Sequence, residues 1–291
     1  MFILKIVKYL IQATFIYLFF IIIKILGLTL SRKFFSHLFK IIGPSVKSEQ
    51  TINNNLEKFL GFKNESLKKN IKLKMWDNYG KTFVEYLYLK KFKTLNSHIE
   101  IKGEDILAKI KKNNKPVIFV SGHFANFELM SMELTKKKIN LATIYRPLNN
   151  FFLNPFMEYL RKKYICQNQI KKGLFGVKES IHYIKNNFSI ALMIDQRVSE
   201  GKKLPFFENM ALTTTMPAQM ALKFNLDIVP IYLARKTNNN FVMEVYKPIE
   251  ILKNADTETN KLNISIKLNK ILEEMISRDP GQWIWTHNRW K

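Results

Sequence analysis

The sequence of 291 residues carries 47 Lys and Arg against 23 Asp and Glu, a formal net charge of +24. Apolar residues make up 47% and charged residues 24%, which excludes a wholly disordered chain and a bundle of many membrane spans. The single cysteine, Cys166, excludes an intrachain disulfide framework and a thiolate zinc cluster. The positive surplus attracts anionic partners, which include acidic proteins, phosphorylated lipids and nucleic acid.

The first 30 residues form an apolar segment that is typical of a membrane helix. Residues 9–23 carry no formal charge, and the apolar character resumes after Lys24 as far as Leu30. A helix over residues 4–30 is roughly 40 Å long, more than the roughly 30 Å hydrocarbon core of a bilayer. We therefore expect residues 1–30 to form a membrane anchor helix, which could span the bilayer or lie in its surface. A cleaved signal peptide and a buried core helix are the alternatives.

Residues 31–115 form a polar, Lys-rich segment with apolar residues at helical spacing. The apolar positions include Met75, Tyr79, Phe83, Tyr86 and Leu87. This pattern predicts one or two amphipathic helices that pack on the rest of the protein.

Residues 116–291 alternate short apolar runs with helical stretches. The predicted strands are 116–121, 140–145, 189–195, 227–234 and 241–246. Fully apolar strands that alternate with helices predict an α/β core, a central sheet covered by helices that begins at about Pro116. The polar run at 236–240 is typical of a hairpin turn, and residues 252–260 resemble a linker.

The run PVIFVS leads directly into GHFANFEL, so that His123 and Glu128 lie five residues apart at a strand-to-helix junction. Residues at that separation are about 140° apart on a regular helix, so His123 must precede the helix if the two side chains meet. Folded back toward Glu128, His123 would be a general base whose imidazole Glu128 orients. A nearby helix N-terminus would keep the imidazole neutral. The spacing alone favours this no more than a capped helix start with a satisfied histidine.

Further segments follow in a characteristic order. They are YRPLNN (145–150), YLRKKY (159–164), DQR (195–197), LPFFENMALTTTMPAQMAL (204–222) and PGQWIWTHNRWK (280–291). Together with the His123 and Glu128 block and the N-terminal anchor, they resemble the late acyltransferases of lipid A biosynthesis, the lauroyl/myristoyl family. The chain departs from the family pattern at Ala125, Phe127 and Glu208, which replace the usual Gly, Trp and Gly.

The resemblance implies a glycerolipid acyltransferase-like fold with a mixed central sheet. It also implies an enzyme that transfers a fatty acyl chain from acyl carrier protein to a hydroxyl of a Kdo-modified lipid A precursor. By the same resemblance, His123 is the general base and Glu128 orients it. Arg161 and Asp195 match a second pair, which the resemblance places near them as substrate-positioning or structure-holding groups. The thioester donor is already activated, so no metal, no further cofactor and no covalent acyl-enzyme are expected.

The residues themselves partly support these assignments. Asp195 ends an apolar strand, at the edge where α/β sheets collect functional groups, although a turn-capping Asp is the alternative. Arg146 could bind a phosphate through its planar guanidinium or brace its loop with Pro147. Gln196 is expected to bind substrate together with Arg146, Arg161 and Asp195.

Several aromatic and histidine side chains remain open to two interpretations. Phe206 and Phe207 could line an acyl tunnel but are more typical of a core. Trp283, Trp285 and Trp290, with Arg289, could form an interfacial belt or a packed cap. Cys166 has no base near it in sequence and is not expected to be a nucleophile. The remaining histidines, without metal-ligand spacing, are His37, His98, His182 and His287.

The expected partners are acyl carrier protein, a phosphorylated glycolipid and an anionic membrane, but not nucleic acid, since no nucleic-acid motif is found. The expected location is the inner membrane, with the catalytic domain on the cytoplasmic face. Two other functions stay open. One is acyl transfer to another glycerophospholipid or glycolipid, and the other is a basic, non-enzymatic, membrane-associated binding protein.

Overall fold

A computed structural model describes residues 2–61, 64–252 and 255–291. The helices are α1 Phe2–Val46, α2 Glu49–Leu60, α3 Glu65–Glu85, α4 Leu89–Thr94, α5 Glu104–Asn113, α6 Glu128–Lys136, α7 Asn154–Leu160, α8 Leu174–Lys185, α9 Met216–Phe224 and α10 Thr257–Arg278. The strands are β1 Ile99–Lys102, β2 Ile118–Ser121, β3 Leu141–Tyr145, β4 Asn168–Lys171, β5 Ser189–Met193, β6 Lys202–Phe206, β7 Asn209–Thr213, β8 Ile228–Arg235 and β9 Phe241–Val245. The predicted α/β class with a mixed central sheet is confirmed.

A sheet of seven strands in the order β1-β9-β8-β2-β5-β3-β4 forms the centre of the domain. Every neighbouring pair is parallel except β8 and β9, which are antiparallel. The polar run at 236–240 joins those two strands, which confirms the predicted hairpin turn. Since β2, β5 and β3 are adjacent and parallel, their carboxyl ends lie at one edge of the sheet.

The sheet does not begin at Pro116, as the sequence suggested, because β1 pairs in parallel with β9. This strand has only four residues, and its second and fourth positions are Glu100 and Lys102. It therefore resembles the Lys-rich helical sequence around it, and edge strands of this kind carry little apolar signal. The short strand β4 and the β6–β7 hairpin were not predicted either.

Helix α1 is bent at Gly27, where φ is +73°, a left-handed conformation that favours glycine. Among the described residues, α1 is the one helix long and apolar enough to cross a membrane, and only 11% of its most apolar window is buried. The alternative of a buried core helix is therefore wrong. After the bend, α1 packs against α3, and a side chain at Gly80 would collide with the carbonyl oxygen of Phe35.

The segment after α10 folds back as a packed cap rather than an interfacial belt. Trp283 and Trp285 are buried, and Arg289 is fully buried. The Arg289 guanidinium donates to the carbonyl of Leu212 and to Oγ1 of Thr213, and it stacks over the ring of Phe206, 4.6 Å from its centroid. Phe206 is thus a core residue.

Candidate active site

The loop between β2 and α6 brings His123 to Asp195, which follows β5. In the parallel β2–β5 ladder, Ser121 lies opposite Met193, so the two chains leave the sheet side by side. The His123 backbone N–H donates to Oδ2 of Asp195 over 2.7 Å, and its ring Nδ1 lies 2.8 Å from Oδ1. A side chain at Gly122 would lie 2.7 Å from the ring of Phe124 and 3.3 Å from Asp195, so this close approach requires glycine.

The orienting partner of His123 is therefore Asp195, and the predicted contact with Glu128 is wrong. In the described chain no hydrogen bond joins Glu128 to His123. Glu128 is the first residue of α6, and its Oε1 accepts hydrogen bonds from Nε and Nη2 of Arg161, over 2.8 and 2.6 Å, and from the hydroxyl of Tyr86 over 2.8 Å. A buried carboxylate is stabilised best by a cation, and Arg161 supplies one.

Asp195 is fully buried and is held in its charged form. Burial alone would raise the pKa of Asp195. The attraction that a protonated His123 exerts, the hydrogen bonds from His123 and the indole N–H of Trp283 outweigh burial and lower that pKa below its usual value. A carboxylate only accepts hydrogen bonds, which assigns the proton of the neutral His123 ring to Nδ1. Among the described residues Nε2 of His123 has no hydrogen-bond partner, so its lone pair can take a proton.

His123 lies in the wall of a cavity of about 500 Å³. The cavity is also lined by Glu128, Arg146, Arg161 and Gln196, so five of the six predicted site residues face one space. The sixth residue, Asp195, lies behind His123. Apolar side chains complete the walls, among them Phe127, Met130, Ile144, Leu192, Met216 and Ile284. Such a cavity suits a ligand with a long apolar part and a polar reacting group.

Arg161 is the most deeply placed cation of the cavity wall. Burial would lower the pKa of its guanidinium, but the negative charge of Glu128 and the hydrogen bonds to Glu128 raise it, so that Arg161 is always charged. Arg161 and Asp195 both lie beside the His123 and Glu128 block, and each holds a different member of it. Nη1 of Arg161 has no hydrogen-bond partner within the described structure.

The sequence interpretation missed His287, which lines the same cavity. Its Nε2 accepts the backbone N–H of Arg197 over 3.0 Å and so braces the segment that carries Asp195. Burial lowers the pKa of His287 to about 4, which keeps the ring neutral and able to accept. Beside it, Thr286 shares a hydrogen bond of 2.6 Å with Tyr79. The only sequence signal was the position of His287 in the Trp-rich segment 283–290.

Cys166 is outside this site. It is buried, its thiol lies 3.2 Å from the carbonyl oxygen of Leu141, and burial raises its pKa. The reactive thiolate is therefore disfavoured, in agreement with the expectation that Cys166 is not a nucleophile. In the described parts of the chain, no group of three or more His, Cys, Asp or Glu side chains is arranged to hold a metal ion.

Two departures from the family pattern lie at left-handed backbone positions. Ala125, in the loop after His123, has φ +45°, and Glu208 has φ +60° beside Phe207 at +47°. Phe207 and Glu208 form the two-residue turn between β6 and β7, a turn type in which both central residues need positive φ. Glycine adopts this conformation without strain, which is a physical reason for the glycine that the resemblance leads us to expect at both positions.

Comparison with known proteins places this site in a family. A model of the bacterial lipid A biosynthesis acyltransferases matches residues 3–291, and the chain belongs to that family. It is 25% identical over 202 residues to the lipid A biosynthesis palmitoleoyltransferase of Escherichia coli and to a lipid A biosynthesis acyltransferase of Shigella flexneri, in each case over 66% of this chain and 61% of the relative. A second Shigella flexneri protein, lipid A biosynthesis acyltransferase 2, is 23% identical over 63% of this chain and 58% of its own length. The matched region thus spans about three fifths of these relatives.

Proposed function

We propose that this protein transfers a fatty acyl chain from the thioester of acyl carrier protein to a hydroxyl of a Kdo-modified lipid A precursor. The observation that carries the proposal is the His123–Asp195 pair at the wall of an apolar cavity, in a chain of the lipid A acyltransferase family. Its location would be the cytoplasmic face of the inner membrane, where α1 provides the anchor.

The chemistry assigned to His123 is general-base catalysis. The free Nε2 removes the proton of the acceptor hydroxyl as its oxygen attacks the thioester carbonyl carbon. The positive imidazolium that forms is stabilised by the carboxylate of Asp195, 2.8 Å from Nδ1. The tetrahedral intermediate then expels the carrier thiolate as the carbon–sulfur bond breaks, and the imidazolium returns its proton to the sulfur. No acyl-enzyme is needed, since His123 activates the acceptor directly.

Cations around the cavity suit a phosphorylated acceptor. Lys47, Arg146 and Lys172 line it together with the deeper Arg161. Burial and the positive charge of Arg146 lower the pKa of Lys172, so these two cations lie close enough to repel each other. A phosphate between them would remove this repulsion, and Arg146 would bind it with its planar fork. Gln196 adds a neutral hydrogen-bonding group in the same wall.

The test is a mass spectrum of the Kdo-modified lipid A precursor after incubation with purified protein and a mixed pool of acyl carrier protein thioesters. The proposal expects a mass increase of one acyl group with the wild-type protein, and none with His123→Ala. His182→Ala is the matched control, because His182 is exposed on α8 and lies outside the cavity. Wild-type turnover by a folded His123→Ala protein contradicts the proposed base.

The same assay separates the alternatives. Acylation of a glycerophospholipid or another glycolipid, with the lipid A precursor unchanged, would show that the dyad acts on a different hydroxyl. A protein that acylates no acceptor, yet binds anionic vesicles in a salt-sensitive way that His123→Ala does not alter, would be a binding protein.

A further inference from the structure

The first part of α1 packs along the α/β domain on one of its faces. The side chains on this face are Tyr9, Ala13, Tyr17, Phe20 and Lys24, which recur at helical spacing. Asn150 donates to the carbonyl of Tyr9 over 2.8 Å, and the Tyr17 hydroxyl donates to the carbonyl of Phe152 over 3.0 Å. Ala13 is 2% exposed.

The contact continues toward the bend at Gly27. The ring of Phe20 lies 5.5 Å from the rings of both Phe83 and Phe156. Lys24, the charge that interrupts the apolar run, donates to the carbonyl of Leu87 over 2.9 Å and lies 4.8 Å from the ring centroid of Tyr88. The positive charge of Lys24 is therefore turned toward the domain.

These contacts lie along the apolar stretch of α1 that would have to cross a bilayer. They extend from the carbonyl of Tyr9 to the side chain of Lys24. A span needs about 30 Å of helix in hydrocarbon, so the contacting parts of the domain would have to lie there as well. If α1 crossed the membrane with its contacts intact, helix α7 with Glu158 would enter the hydrocarbon beside it, and charged groups are strongly disfavoured there.

The opposite face of α1 is apolar and exposed. Its exposed side chains are Ile3, Leu4, Val7, Leu10, Ile11, Phe15, Leu18, Ile21, Ile22 and Ile25. Two cations, Lys5 and Lys8, are exposed near its start. A helix with one apolar face and flanking lysines is suited to the boundary between lipid headgroups and acyl chains of an anionic leaflet.

We infer that α1 lies in the plane of one leaflet as a monotopic helix, with its exposed apolar face in the lipid and its other face clamped to the domain. This inference depends on the contacts of α1 alone and stands whether or not the protein transfers acyl groups. The exposed face of α1 then contacts the acyl-chain region of an anionic bilayer.

One consequence does rest on the proposed acyl transfer. Leu148 and Asn149 line the cavity, and the same loop continues to Phe151, which is half exposed and 5.8 Å from the ring of Tyr9. The loop thus joins the cavity rim to the lipid-facing helix. An acceptor lipid would move sideways from the leaflet to His123 without leaving the membrane surface.

The experiment measures the depth of four positions along α1 in the full chain. Ile3→Cys, Ile11→Cys, Leu18→Cys and Ile25→Cys are made in a Cys166→Ser background, labelled with an environment-sensitive fluorophore, and reconstituted in vesicles of phosphatidylglycerol and phosphatidylcholine. All four side chains are exposed, so the labels do not disturb packing. Lipids brominated at shallow or deep acyl positions then quench each label according to its depth.

An in-plane helix places all four labels at one shallow depth, about 5–10 Å below the headgroup boundary, so shallow bromines quench each label most strongly. A spanning helix gives a different profile, with Ile11 and Leu18 near the bilayer centre and Ile3 and Ile25 near opposite surfaces. That profile overturns the inference, and so does the absence of quenching at all four positions. Neither result depends on turnover, so failure of this inference can be distinguished from failure of the proposed activity.

Discussion

Trp283 donates its indole N–H to Oδ2 of Asp195 over 2.7 Å, the same oxygen that accepts the backbone N–H of His123. The buried carboxylate is therefore held by a residue 88 positions further along the chain as well as by the histidine that it orients. A carboxylate with three donors is fixed in position and in charge, which is what the proposed general base, His123, would need from its partner.

Asp195→Asn is expected to lower kcat by about 10³- to 10⁴-fold with the fold retained. The amide would present an N–H to Nδ1 of His123, which moves the ring proton to Nε2 and removes the base. The rate of acyl transfer with saturating substrates measures this effect. Asp105→Asn, on the exposed first turn of α5, is the matched control. An Asp195→Asn enzyme with nearly wild-type turnover would show that Asp195 does not orient the base.

Trp283→Phe is expected to reduce the free energy of unfolding by about 2–3 kcal/mol, because it leaves a buried carboxylate with one hydrogen bond fewer. Urea denaturation followed by circular dichroism measures this change. Trp290→Phe is the comparison, since Trp290 is half-buried and donates to the neutral carbonyl of Phe206. The two variants should differ clearly, and equal losses would argue against a special stabilisation of Asp195.

Breaking the Glu128–Arg161 pair from one side is expected to cost about 3–5 kcal/mol of stability, because a buried charge is left unpaired. Glu128→Gln and Arg161→Met are the single variants, and the double variant should be more stable than their summed effects predict. Unfolding free energies of the four proteins give the coupling. Additive effects would mean that the ion pair contributes nothing to stability.

The lowered pKa of His287 predicts a pH-dependent stability. In the unfolded chain His287 takes a proton near its ordinary value of 6.5, whereas in the folded protein it does so only near 4. Its contribution to stability is therefore fully present above pH 6.5 and is lost as the pH falls toward 4. We expect the unfolding free energy to fall less between pH 7.5 and pH 5 in His287→Gln than in the wild type.

The same variant keeps an acceptor for the N–H of Arg197, since the Gln side chain carries a carbonyl oxygen. His182→Gln, at an exposed position outside the cavity, is the control. A pH dependence that is identical in the wild type and in His287→Gln would contradict the burial argument.

Glu208→Gly is expected to raise the free energy of unfolding by about 1 kcal/mol, because it relieves a left-handed conformation at an exposed turn. Thermal unfolding measures the shift. Lys203→Gly, on the neighbouring strand β6, is the control and should destabilise, since glycine there gains nothing and loses chain entropy. A Glu208→Gly protein less stable than the wild type would show that the Glu208 side chain contributes to the turn.

The sequence was sufficient to predict the strands that are buried on both faces. Strands β2, β3, β5 and β8 coincide with predicted apolar runs, because their burial demands continuous apolar sequence. Strand β9 was also predicted, although only alternate residues of it are buried. Strand β1 was not predicted, because apolar and charged residues alternate along it at the edge of the sheet. Bends such as that at Gly27 depend on one residue in a long apolar run and leave no periodic signal.

The sequence predicted which residues form the site, but it did not predict which of them contact each other. His123, Glu128 and Arg161 do meet around one cavity, yet the partner of His123 proved to be Asp195. Spacing along the chain indicates which residues are close within one segment. The contact between His123 and Asp195 depends instead on strand order, because β2 and β5 are adjacent in the sheet. His287 was missed for the same reason, since it reaches the cavity only because the segment after α10 folds back against Arg197.

The folding back of residues 283–287 has a consequence for synthesis. Chains are made from the N-terminal side onward, and N-terminal parts fold first. Helix α1 is therefore available to the membrane long before Trp283 and His287 leave the ribosome. Until they do, Asp195 lacks its indole donor and the Arg197 N–H lacks its acceptor. The surroundings of Asp195 are therefore completed only after residues 283–287 have been made, when α1 has long been available to the membrane.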